Sequence, residues 1–285
     1  MMQTVDLGIV ADRFCSTSRT YLTYLRAAGY RVRLVLLTDF VGPTLPRPGL
    51  RGQLDRLVAP FLKQRRRLPE RHFDDGFRAL CEAMQAVVPH PVDYFGAFDW
   101  SEHAEQVLPF VAEDYDDRDL HERLMKAGIP VWLYTNGGRV PPALLDRPDF
   151  RMIHIHPGVV PHVRGSDGLF WSLLTRGQPG MSCFYMNPGI DTGSIIRTRE
   201  FDRPVMPFLK EAIEQRPDVV YSALLYAYDP HLRAQLLADV VDACGGRDLA
   251  SLPNTPQDPE SGRNFYWMHA RLQRKAMRLL SDGAP

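Results

Sequence analysis

A chain of 285 residues can bury a large core, either as one α/β-sized domain with additions or as two modest ones. Its 34 Lys plus Arg balance 34 Asp plus Glu, so the overall charge gives no reason to expect nucleic acid or an anionic membrane and favours a small substrate. No run approaches the roughly 18 consecutive apolar residues of a membrane span, and Met1-Met2-Gln3-Thr4-Val5-Asp6 lacks the basic-then-apolar pattern of a secretion signal, which makes the cytoplasm the default compartment.

From the N-terminus, residues 5–10 read as a buried strand, 17–28 as a helix and 32–37 as a second strand after the stop at Gly29. Strand, helix, strand is the opening of a parallel sheet with helical crossovers. Pro and Gly then cluster, and residues 42–91 are expected to form an insertion ending in a helix over 73–88. Within it, Lys63-Gln64-Arg65-Arg66-Arg67 reads as a solvated charged segment in preference to a phosphate patch.

A second regular section begins at residue 92, passes a helix at 117–127 and reaches an apolar strand at 129–134. Gly137-Gly138 turns the chain into a short helix at 140–145, whose prolines suit a first turn. A strand at 152–156, a helix at 169–174 and strands at 181–186 and 194–199 follow, then helices at 218–228, 230–243 and 266–280. Cys15, Cys81, Cys183 and Cys244 lack metal or redox spacing and read as thiols without a functional role.

The most informative stretch is His154-Ile155-His156-Pro157-Gly158, followed by Pro161-His162-Val163-Arg164-Gly165 and, 35 residues after His156, by Asp191 within Gly189-Ile190-Asp191-Thr192-Gly193. Side chains two apart share one face of a strand, so the two imidazoles lie together. They stand where a strand runs into a loop, the place where open parallel sheets gather ligands. Asp191 in a glycine-flanked loop reads either as an ordinary turn residue or as the partner that orients His156 for proton transfer.

This order of motifs resembles the catalytic domain of the 10-formyltetrahydrofolate-dependent formyltransferases, in which a strand ends in Asn-x-His-Pro-Ser, continues through Leu-Pro-x-x-x-Gly and later reaches Asp-x-Gly. The matching segments are His154 to Gly158, Val160 to Gly165 and Asp191-Thr192-Gly193, with Gly137 to Pro141 similar to the family's folate-side loop. The resemblance implies a Rossmann-like α/β fold with a mostly parallel sheet. It implies formyl transfer from 10-formyltetrahydrofolate to an amine, with His156 in proton transfer, Asp191 orienting it and His154 at the position that donates to the oxyanion. Gly138, Arg139, Val140 and Pro141, with Asn187, Gly189 and Ile190, would hold the pterin. The chain departs from the pattern in carrying His154 for the family's Asn and Gly158 for its Ser.

The expected organisation is a catalytic domain over 1–205, with the insertion at about 42–91, and a small helical C-terminal extension over 206–285. The expected acceptor is a small-molecule amine, an amino sugar or a modified amino acid, without nucleic acid or membrane; a homodimer is compatible with this reading. Two other readings compete. His-x-His with a remote Asp is also a metal-ligand pattern, which His162 or Asp167 would complete in a metal-dependent hydrolase. A non-catalytic binding module on the same fold is the third.

Overall fold

The computed structural model describes residues 2–13, 15–40, 74–135, 139–258 and 260–282. Most of the expected insertion, including its Arg-rich segment, lies outside the described residues, as do Gly137 and Gly138.

The chain opens with β1 (Gln3–Ala11), α1 (Ser16–Ala27) and β2 (Tyr30–Phe40). After α2 (Asp75–Gln85) come β3 (Ala104–Ala112), α3 (Arg118–Lys126), β4 (Val131–Tyr134), the single turn α4 (Pro142–Leu145) and β5 (Arg151–His156). Next are β6 (Arg164–Gly165), α5 (Gly168–Arg176), β7 (Gly180–Tyr185) and β8 (Ile195–Glu200). The C-terminal part holds α6 (Leu209–Gln215), α7 (Pro217–Ala227), α8 (Asp229–Ala243), β9 (Asn264–Phe265) and α9 (Ala270–Ser281).

Among the described residues seven strands form one sheet in the order β3-β2-β1-β4-β5-β7-β8. The first five are mutually parallel, and β7 and β8 join antiparallel. Strand order reverses between β1 and β4, the doubly wound arrangement of a Rossmann-like fold, so a crevice forms beyond the carboxyl ends of the central strands. β4 and the second half of β1, Leu7 to Ala11, are buried runs without polar side chains because helices cover both faces there.

Alternation along the strands divides the core in two. Leu7, Ile9, Ile153 and Ile155 face one side, where Leu22, Leu224 and Leu236 of α1, α7 and α8 pack on them. Val10, Trp132, Tyr134 and Met152 face the other, against Leu120 and Leu124 of α3 and Leu144 of α4. The helices beyond residue 205 therefore share the core of the sheet.

Three expectations differ from what is observed. β3 was not anticipated, since it contains Pro109 and much of it is exposed, as suits a strand at the sheet's edge. α6 was likewise missed. The last helix starts at Ala270 instead of 266, because Asn264 and Phe265 are drawn into a two-residue pairing with Arg164 and Gly165. No helix among the described residues is long and apolar enough to cross a membrane.

Candidate functional site

His154 and His156 end β5 with their rings on the same side, centroids 6.1 Å apart. This is the α3/α4 side of the sheet. There α4 is a single turn, and past its reach the sheet opens into a cleft of about 610 Å³, within the range of small-ligand sites. His154 and Asp191 line this cleft; His156, 2 % exposed, lies beneath it and is not among the lining residues.

Both ring nitrogens of His156 face acceptors. Nε2 is 3.0 Å from the Val163 carbonyl and Nδ1 is 3.4 Å from Asp191 Oδ2. A neutral ring donating to Val163 from Nε2 leaves the Nδ1 lone pair turned toward a carboxylate, and only the imidazolium satisfies both contacts. Burial opposes that charge and lowers the pKa of His156; Asp191 works against the shift and the Arg233 guanidinium adds to it. The ring is thus a buried base with a carboxylate positioned for its cationic form.

His154 is held differently. Its ring meets Tyr134 and Phe184 edge-on, at 5.1 and 5.5 Å between centroids, and its Nδ1 is buried without a hydrogen-bond partner. Burial, then Arg233 and then His156 push its pKa well below the ordinary value, so the ring is neutral. Phe184 stands opposite His154 in the β5–β7 register.

The loop bearing Asp191 is fixed from several directions. Asp191 has φ +52°, in the left-handed region, and its Oδ2 accepts the Gly165 N–H at 2.7 Å. Gln257 donates to the carbonyls of Asp191 and Gly193 at 2.9 and 2.7 Å, and Arg164 Nε holds Gln257 at 3.0 Å. Asn187 spends its side chain inside the loop, where Oδ1 accepts from Gly189 N and Thr192 Oγ1. Behind β5, Arg233 Nη1 donates to the Ile155 carbonyl at 3.1 Å while its Nε meets Asp229 at 2.5 Å.

Gly158 has a steric reason: a Cβ there would stand 2.6 Å from the Val163 carbonyl and 2.9 Å from His156 Nε2. The family's Ser would not fit this loop as it is built. Gly165, at φ +90°, adopts a conformation that other residues rarely take, and so presents its N–H to Asp191.

The fold thus gathers His154, Asp191, Arg139, Val140, Asn187, Gly189 and Ile190 around one cleft, with His156 below. Arg139 is exposed and Ile190 is 73 % exposed. Pro141 is buried as the N-cap of α4 and does not line the cleft, and Gly138 lies outside the described residues. Neither proposed extra metal ligand joins the pair: His162 is exposed, and Asp167 accepts from Tyr221 and from Met268 N. Arg233 and Gln257 were not foreseen, since no local pattern marks them; Phe184 was discoverable by pairing the strand at 181–186 against 152–156.

No family model matches the chain. It is 29 % identical over 154 residues to a methionyl-tRNA formyltransferase of Pelotomaculum thermopropionicum, covering 52 % of this chain and 42 % of that protein. It is 33 % identical over 127 residues to human mitochondrial 10-formyltetrahydrofolate dehydrogenase, covering 44 % of this chain and 12 % of that one. The chain therefore spans less than half the length of either relative. A solved 4-N formyltransferase from Francisella tularensis superposes with TM-score 0.45 at 13 % identity, covering 93 % of this chain and 77 % of that one.

Proposed function

We propose that this chain transfers a formyl group from 10-formyltetrahydrofolate to the amine of a small molecule, an amino sugar or modified amino acid made in the cytoplasm. The observation that carries the reading is the shared cleft: Arg139 and Val140 from one segment expected to hold the folate and Asn187, Gly189 and Ile190 from the other line it together with His154 and Asp191, and His156 contacts Asp191. The names of the partial relatives, methionyl-tRNA formyltransferase and 10-formyltetrahydrofolate dehydrogenase, support it. The even charge balance favours a small acceptor over tRNA. Residues 1–205 are the catalytic part in this reading and 206–285 an extension that braces it.

The folate fits what is present. The cleft has aromatic and apolar walls at Tyr134, Val140, Phe184 and Met186, and the backbone of 187–190 offers polar groups along one side. A bound 10-formyltetrahydrofolate would supply an activated formyl carbon. Transfer to the acceptor would release one proton from the amine and require one for the departing folate nitrogen. His156 carries the proton at Nδ1, with Asp191 stabilising the imidazolium and Val163 fixing Nε2. His154, kept neutral, donates one N–H to the oxygen on which charge develops.

The test is product formation with 10-formyltetrahydrofolate and a panel of amines, beside thermal stabilisation by a stable folate analogue. His156→Ala or Asp191→Asn is expected to lower turnover by about 10²–10⁴-fold. His154→Asn is expected to retain or raise it, because a carboxamide always presents an N–H. A loss above about tenfold, or 1.4 kcal/mol, would show that the imidazole has its own role. No formylated product from any amine, with no stabilisation by any folate, would end the reading.

A further inference from the structure

A donor to an oxyanion does not require a second imidazole, and the surroundings of His154 point to another use. Among the described residues His154, His156 and Asp191 each place one ligand atom within 4.8 Å of the others. The pair already in place is the informative one. His156 Nδ1 and Asp191 Oδ2 stand 3.4 Å apart, too far for the usual charge-assisted hydrogen bond. Two ligands at 2.0–2.1 Å from a tetrahedral ion are separated by about 3.3–3.4 Å.

The groups behind these atoms are those a metal site needs. Histidines that bind a metal through one nitrogen almost always donate the other N–H to a carbonyl or carboxylate, and His156 Nε2 does so to Val163 at 3.0 Å. Asp191 is steadied through Gly165 N and Gln257. His154 contributes a neutral ring set between Tyr134 and Phe184, with Nδ1 buried and unpartnered. Unlike the other buried polar atoms without a partner among the described residues, this one belongs to a residue that lines the cleft. The three ligand atoms lie within 4.8 Å of one another, so the His154 ring has to move toward the pair to reach tetrahedral spacing.

We propose that His154, His156 and Asp191 form a three-ligand site for a divalent transition ion of the zinc class, its fourth position open to the cleft. Two imidazoles and a carboxylate suit zinc or cobalt, whereas magnesium and calcium prefer larger sets of oxygen ligands. His154, where the resembled family has Asn, is what completes the set. The ion and the proton compete for the same lone pair at His156 Nδ1, so a bound ion halts the proton transfer proposed above. Binding itself does not depend on the formyl-transfer reading; only the inhibition does.

The experiment uses the full chain, stripped with a chelator and titrated with Zn²⁺ by calorimetry and with Co²⁺ by visible absorption, with no folate or amine present. One equivalent is expected to bind at micromolar concentration or tighter, and Co²⁺ is expected to show the intense bands of a four-coordinate ion. His154→Asn and Asp191→Asn should each weaken binding at least tenfold with the folded circular dichroism spectrum retained. His162→Asn, exposed and outside the site, should bind as the parent does. No saturable binding, or binding untouched by both site variants, overturns the proposal. If ions bind but no amine is formylated, the site stands and the transferase reading falls; formyl transfer without ion binding gives the reverse.

Discussion

The two faces of the sheet are built to different depths. On one, α1, α7 and α8 bury the strands under a continuous layer that reaches from Val5 to Val241. On the other, α3 covers the β1–β4 region, and among the described residues only the single turn α4 lies beyond it, with the end of β5 under a cleft. The same strand serves both. Ile153 and Ile155 anchor it in the closed side, and His154 and His156 occupy the open one. A strand fixed from behind can present polar side chains in front without losing its place, which is how a rigid element gives a precise site.

The comparison breaks first at Arg233, the polar group on the closed side that touches the site strand. Arg233→Met leaves Asp229 buried with neither oxygen satisfied, and is expected to cost about 3–5 kcal/mol in urea unfolding. A loss below 1 kcal/mol would show that the pair does not hold the strand. Core truncation tests the unequal depth directly. Leu236→Ala on the closed side should cost about 2–5 kcal/mol, whereas Leu145→Ala at the cleft should cost about 1 kcal/mol or less. Equal losses would mean that the open face is packed as firmly as the closed one.

A smaller effect comes from His231, buried in the closed layer with Nδ1 3.1 Å from the Tyr24 hydroxyl and Nε2 2.9 Å from that of Tyr94. Burial, with His90 adding to it, lowers its pKa from 6.5 to about 3. Between those values the unfolded chain takes up a proton that the folded one refuses. This group's stabilisation is complete above about pH 6.5 and is lost as the pH falls toward 3, at up to about 1.4 kcal/mol per pH unit. Unfolding free energies of the parent and His231→Gln between about pH 4 and 6.5 should differ in slope by that amount; parallel curves would refute it. The smallest effect belongs to α3 on the open side. Asp117 caps it by accepting from Asp119 N and Leu120 N, so Asp117→Ala should cost about 1 kcal/mol, read from the shift in thermal midpoint.

How much of this was readable beforehand follows the same division. The central strands announce themselves because burial on both faces requires apolar runs, and β1, β2, β4, β5 and β7 were all expected close to their observed limits. β3 was not, since an edge strand that contains Pro109 and alternates weakly carries little pattern. Residues 266–269 looked like the first turn of the last helix because the pairing of Asn264-Phe265 with Arg164-Gly165 just before them depends on a contact about a hundred residues away. At the site, the spacing of His154, His156 and Asp191 was legible, and the structure brings the three together. What positions them was not: Arg233 reaches Ile155 across 78 residues and Gln257 reaches Asp191 across 66, and neither separation leaves a local trace. The sequence also could not show that His156 lies under the cleft and His154 at its wall.

The backbone at Asp191 has a consequence for how its mutants are to be understood. With φ at +52°, position 191 sits in a region that Gly, Asn and Asp visit readily and other L-residues enter at a cost of about 1–2 kcal/mol. Alanine there changes two things together, deleting the carboxylate and straining the loop that Gln257 clasps. Asparagine removes the charge alone, and glycine removes the side chain while easing the turn. The position is therefore specified by shape as well as by chemistry, and only those two replacements separate what the carboxylate contributes from what the turn does.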